Sequence, residues 1–202
     1  TAKQTLDLAQ ALYEKRLLTY PRTDSNYLTD DMGDTAVHIA ALLVGKLFFM
    51  DGADFTPDVS RTLDSKKVSD HHAIIPTGKK AANLSLTADE RRLYELVAKR
   101  LAAVFYPNYE YDALRVVTAC GQDRFLSTGQ TVTQEGWKAV YAGEQASGAR
   151  RVGKKKEDEQ PLPDLHPGDE RVCRDAKVTQ DQTKPPKEYN DASILLDMEH
   201  AG

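Results

Sequence analysis

Cysteine is scarce in this chain: Cys120 and Cys173 are the only two among 202 residues. Two thiols so far apart make neither a disulfide framework nor a metal site by themselves, which suits a reducing compartment. Long apolar runs are missing too. No stretch approaches the roughly 20 apolar residues that a membrane-spanning helix needs, and no secretory-type opening stands at the start. A cytoplasmic setting without a membrane is therefore the expectation. A basic excess is also lacking, because 27 Lys and Arg face 31 Asp and Glu and leave a net charge of −4. Such a surface does not coat a polyanion at large, so a nucleic acid would be met only at a local groove. An initiator methionine is absent as well. The chain opens on Thr1-Ala2-Lys3 and stops at Ala201-Gly202, just after a helix begins, which gives the expectation of a piece cut from a longer protein.

What is present is enough apolar residue, 40% of the chain, for one or two cores. From about Thr5 to Leu18, Leu6, Ala9, Leu12 and Tyr13 recur at helical spacing and predict a helix that runs up to Tyr20. Asp30, Asp31 and Asp34 suit a helix start, since acids in a first turn favour the positive end of the dipole without needing a metal. The apolar set Ala36, Ile39, Ala40, Leu43, Val44, Leu47 and Phe48 continues that helix, and residues 51–70 read as a loop. Thr87 followed three residues later by Glu90 is a capping box that launches a helix through Leu93, Leu96, Val97, Leu101, Val104 and Phe105, ended by Pro107. Arg91, Arg92, Lys99 and Arg100 on it are explained more simply as a solvated face than as nucleic-acid contacts.

Beyond Pro107 the period changes. Tyr109 to Ala119 is rich in aromatic and β-branched residues, Gly121-Gln122-Asp123 reads as a turn, and Arg124 to Gly129 as a return strand. Trp137, after Gly136, is expected to anchor a core rather than to stack on a base. Lys154 to Glu159 is a polar insert whose charges cancel. Pro167-Gly168-Asp169 predicts a turn leading into another strand through Val172, Cys173, Arg174, Ala176, Val178 and Gln180, and a last helix begins near Asn190 or Asp191.

Two stretches carry chemistry. Thr19-Tyr20-Pro21-Arg22-Thr23-Asp24-Ser25 places a phenol two residues from a guanidinium. A tyrosine, with a free pKa of about 10, attacks only with a cation or base at hand. Arg22 supplies the cation and can hold a phosphodiester through two parallel hydrogen bonds. Pro21 biases Tyr20 toward an extended backbone. The plainer reading, a Tyr-Pro-Arg loop with Tyr20 covering a core edge, stays open on these residues alone. The second stretch is Ser69-Asp70-His71-His72-Ala73-Ile74-Ile75-Pro76-Thr77.

Taken together and in this order, the two stretches resemble the type IA DNA topoisomerases, and the wording His-His-Ala-Ile-Ile-Pro-Thr resembles their topoisomerase III branch most. Thr5 to Glu14, Thr183-Lys184-Pro185-Pro186 and Leu195 to Glu199 agree with it, so the resemblance spans almost the whole chain. It implies an α+β multidomain fold: a winged-helix-like helical domain over residues 1–106 that bears the tyrosine, an antiparallel β-rich arch over 107–183, and the start of a further helical domain over 184–202. It also implies that Tyr20 attacks one strand and keeps its 5′ phosphate, that another strand passes, and that the backbone is resealed without ATP.

By the same match Arg22 and His71 join Tyr20 as catalytic residues, while Thr23, Asp24, Ser25, His72 and Thr77 line the DNA. Mg2+ and the general acid would belong to a Toprim domain elsewhere in the longer protein. Metal ligands are accordingly not expected in this chain, which is expected to be inactive alone. The alternative is a non-catalytic module for single-stranded DNA in which Tyr20 stacks on a base. A tyrosine recombinase is disfavoured, since its arginines and histidine precede its tyrosine.

Overall fold

The computed structural model describes residues 1–44, 58–79, 85–147 and 163–201. It holds four α-helices, α1 (Ala2–Glu14), α2 (Gly33–Val44), α3 (Ala88–Phe105) and α4 (Asp191–Glu199), and two strands, β1 (Glu110–Cys120) and β2 (Asp123–Gln134), among those residues. The fold is thus α+β. The chain divides into two compact units, one of Lys3–Tyr111 with Val132–Gly153, the other of Asp112–Thr131 and Lys154–Gly202 with Thr1–Ala2.

In the first unit α3 is the central element. Its start is fastened as the Thr87/Glu90 pattern predicts: the Thr87 hydroxyl accepts from the Glu90 amide at 3.2 Å and the Glu90 carboxylate accepts from the Thr87 amide at 2.8 Å. Ala98, Leu101 and Phe105 of α3 pack with Ala36, Ile39 and Ala40 of α2, and with Leu28 and Ile75 from the connecting chain. A second cluster sets Leu12, Leu17 and Leu18 beside Leu93, Tyr94 and Val97. Leu96, expected on the packed face, is exposed. Two short 3-10 turns, Ser60–Thr62 and Ser65–Lys67, lie in the expected loop region. Leu47, Phe48 and residues 51–57, and with them the continuation of the second helix, lie outside the described residues.

The helix before Tyr20 is shorter than its periodicity predicts. It ends at Glu14, six residues before the tyrosine, and not at the proline. Arg16 adopts φ 59°, the Leu17 amide donates to the Leu12 carbonyl at 2.9 Å, and the Arg16 amide donates to the Tyr13 carbonyl at 2.7 Å. This is a Schellman stop with arginine at the left-handed position, completed by the apolar contact of Leu17 with Leu12. Burial of Leu17 and Leu18 in another direction outweighs continuation of the helix.

After α3 the chain turns into β1. Gly136, at φ 49°, follows β2 so closely against Pro107 and Asn108 that a Cβ there would collide with the Asn108 carbonyl. Trp137 does not anchor a core, for it is 37% exposed. On this 3-10 stretch (Gly136–Ser147) the Val140 side chain is buried, packed on Ala103 and Tyr106. Trp137 meets the Tyr141 ring at 6.2 Å instead.

In the second unit the β1–β2 hairpin reverses at Gly121, whose φ of 60° suits the first position of a tight two-residue turn. The hairpin is longer than expected, β2 reaching Gln134 rather than Gly129. The expected strand through Val172 to Gln180 is not formed. The turn at His166–Asp169 is present, but the chain beyond it to Glu188 has no regular structure and pairs with no strand among the described residues, and Val172 and Val178 are almost fully exposed. A strand needs a neighbour for its backbone groups, and composition does not supply one. The polar insert at Lys154–Glu159 lies outside the described residues. Helix α4 starts as expected, its Asn190 side chain accepting from the Ala192 and Ser193 amides.

Candidate active site

The two chemistry-bearing stretches lie side by side, running in opposite directions. Leu18 and Pro76 form an antiparallel bridge. The Thr77 amide donates to the Leu17 carbonyl at 3.0 Å, and the Thr19 amide to the Ile75 carbonyl at 2.9 Å. The regular ladder stops at Pro21, which has no N–H to give. From there hydroxyls carry the pairing. Thr23 Oγ1 donates to the His71 carbonyl at 2.7 Å, Ser69 Oγ to Asp24 Oδ1 at 3.2 Å, and Ser25 Oγ to the Lys67 carbonyl at 2.7 Å. Thr77 Oγ1 closes the other end on the Arg16 carbonyl at 2.6 Å. Leu17, Leu18, Leu28 and Ile75 hold both stretches onto the helical core.

On this frame Tyr20 is half-buried and its ring meets two others: His71 at 4.5 Å between centroids with the planes 47° apart, and Tyr13 at 5.4 Å, edge-on at 77°. Beside them a cleft of about 280 Å3 is lined by Arg22, Thr23, Asp24, Ser69, Asp70 and His71. Arg22 is exposed, and among the described residues no ion pair or hydrogen bond holds its guanidinium. It is therefore available to an anion. His72 Nδ1 lies 2.7 Å from the Ala73 carbonyl, so that nitrogen carries a proton.

Lys67, at the edge of the frame, donates to the Tyr27 hydroxyl at 3.1 Å and sits 3.4 Å from Asp64. The Tyr27 hydroxyl first, and then Asp64, hold its pKa above the usual lysine value. Among the described residues no group of three or more His, Cys, Asp or Glu is arranged to hold a metal ion.

An imidazole that lines one polar cleft with the guanidinium and lies against the phenol ring joins the two motifs, and the family comparison decides their origin. The family model described as DNA topoisomerase matches residues 1–202. The chain belongs to the type IA DNA topoisomerases. It is 38% identical over 212 residues to the DNA topoisomerase 3 of Bacillus licheniformis, and 38% identical over 213 residues to that of Bacillus subtilis. In both cases 99% of this chain is covered, so it stands with the topoisomerase III branch. It spans about 28% of the length of these curated relatives. The solved structure of full-length topoisomerase I from Thermotoga maritima superposes with a TM-score of 0.62 at 26% identity, over 99% of this chain and 31% of that one.

Of the expected site residues of this topoisomerase chain, Tyr20, Arg22, Thr23, Asp24 and His71 come together at the cleft and its aromatic edge. Ser25 is buried, His72 half-buried, and Thr77 sits at the far end of the frame. Three further residues lie at the site that are not among the expected site residues. Tyr13 reads as part of the helix face toward the core yet is 40% exposed and touches Tyr20. Ser69 and Asp70 precede the histidines and line the cleft. Helical spacing assigns Tyr13 to a face, but the early helix stop turns the chain back so that Tyr20 meets it.

Proposed function

We propose that this chain is a central part of a topoisomerase III-type enzyme and carries the nucleophile that opens one DNA strand. Tyr20 Oη attacks the phosphorus of a phosphodiester in single-stranded DNA. A new O–P bond forms to the 5′ phosphate as the bond from phosphorus to the 3′ oxygen breaks. The phenolic proton leaves the nucleophile and the departing 3′ oxygen takes up a proton, giving a 3′ hydroxyl. Another strand passes through the gap, and attack by that hydroxyl on the phosphotyrosine reverses the step. The energy of the broken bond is stored in the new ester, so ATP is not needed.

Arg22, whose guanidinium is free to take a phosphate, binds the two non-bridging oxygens and offsets the charge that grows on them in the transition state. His71, against the Tyr20 ring, organises the phosphate and the tyrosine. The strand follows the cleft past Thr23 and Asp24, with His72 nearby and Ser25 and Thr77 shaping the walls. Mg2+, which the resemblance implies for the longer enzyme, would supply charge neutralisation. By the same resemblance its ligands are placed in a Toprim domain of the longer protein. That absent part also protonates the leaving group, and the chain alone does not cleave. The helical region 1–106 acts as the movable tyrosine-bearing domain with winged-helix character. Residues 107–183 belong to the arch and 184–202 open the next helical domain, in a cytoplasmic enzyme.

The observation that carries this reading is the convergence of Tyr20, His71 and Arg22 from two stretches hydrogen-bonded into one frame. The test is adduct trapping with single-stranded DNA and Mg2+ in the full-length enzyme, wild type against Tyr20→Phe. A 5′-linked adduct that disappears with the hydroxyl is expected. Binding without any adduct from the wild type would leave a strand-holding module in which Tyr20 stacks on a base.

A further inference from the structure

The backbone around Tyr20 is fixed on both sides, by the Leu18–Pro76 bridge and the Thr19–Ile75 hydrogen bond before it and by buried Pro21 after it. What is left free is the side chain. Its χ1 and χ2 decide where the hydroxyl points, and no hydrogen bond holds that hydroxyl among the described residues. Two other rings touch it, His71 from the second stretch and Tyr13 from the last turn of α1. His71 is itself held, since its carbonyl accepts from Thr23.

We propose that Tyr13 is a positioning residue for the strand-opening step, its ring acting with that of His71 to keep Tyr20 in the rotamer that packs against both, beside the cleft. This inference rests on Tyr20 being the nucleophile. Tyr13 is suited to the task for two reasons. Its helix ends one residue later in the Schellman stop, so its own backbone is rigid where it meets Tyr20, and its carbonyl accepts the Arg16 amide at 2.7 Å in that same stop. It also contributes little to the core, being 40% exposed while its neighbour Leu12 is fully buried. A bulky aromatic left outside the core but set edge-on against the tyrosine is explained by that contact. The ring, and not the Tyr13 hydroxyl, is the part that acts.

The experiment uses the full-length enzyme and compares wild type, Tyr13→Leu and Tyr13→Phe. Single-turnover formation of the covalent adduct on a labelled single-stranded oligonucleotide is followed with Mg2+, and equilibrium binding of the same oligonucleotide is measured in the Tyr20→Phe background, where chemistry cannot proceed. An edge-on aromatic pair of this kind corresponds to about a two- to tenfold effect, and that is the slowing expected of Tyr13→Leu, with oligonucleotide affinity unchanged and with Tyr13→Phe restored to the wild-type rate. Three results would overturn the proposal: an unchanged rate in Tyr13→Leu, a rate lost only in step with affinity, or Tyr13→Phe as slow as Tyr13→Leu. A wild type that binds but forms no adduct overturns the nucleophile reading itself and removes this one with it.

Discussion

A serine hydroxyl at position 25, 8% exposed, donates to the Lys67 carbonyl and accepts from the Tyr27 amide at 3.1 Å. Alanine there leaves a carbonyl and an amide without their partner, which costs about 1–3 kcal/mol. Ser25→Ala should lower the melting temperature and, by loosening the 64–72 side of the frame, slow adduct formation by the longer enzyme, both read on the same preparation. At Arg22 the expected effect is chemical, because an ammonium offers phosphate a point charge rather than a planar fork. Arg22→Lys should reduce the rate of adduct formation about 10- to 100-fold, the worth of one charge-assisted hydrogen bond, with no change in melting temperature since the side chain is exposed. The motifs make Tyr20, Arg22 and His71 legible as residue types. They do not reveal that Thr23, Ser25 and Thr77 spend their hydroxyls on backbone carbonyls, because that pairing joins positions some 42 to 61 residues apart.

At the scale of elements, α1 is tied to α3 by Lys15, whose ammonium reaches Glu90 at 2.6 Å; the Glu90 carboxylate is only 6% exposed and also completes the capping box. The hydrogen bond from Lys15 first, and then the Thr87 amide, hold the Glu90 carboxyl below its ordinary value of 4.5. A carboxyl lowered on folding contributes stability that is fully present above the unfolded-state value and is lost as pH falls through the folded one. Chemical denaturation at a series of pH values should therefore show the wild type losing stability as pH drops below about 5. Glu90→Gln should be less stable by about 1 kcal/mol at neutral pH, with the difference closing in acid. The Thr87–Glu90 pattern is readable from sequence because both partners sit within one helical turn. The end of α1 is not, since the packing of Leu17 and Leu18 outcompetes a local periodicity that would run further.

For the whole molecule, net charge and site composition give separate expectations. With a net charge of −4, the 202-residue chain should bind single-stranded oligonucleotide weakly and lose that binding with added salt. It should form no covalent adduct with Mg2+ present. An adduct from the purified chain on a denaturing gel would show that the leaving-group acid lies within it. Sequence by itself determined the family, the order of the two motifs, the cap of α3, the start of α4 and the β1–β2 hairpin, because each rests on neighbours in the chain or on residue types that a reaction demands. Tertiary structure alone decided where α1 stops, that Trp137 and Tyr13 stay outside the core, that the stretch after His166 to Glu188 finds no strand to pair with among the described residues, and that hydroxyls continue the pairing past Pro21. These outcomes depend on competition between distant surfaces for burial and for backbone partners, and a local pattern carries no record of which surface wins.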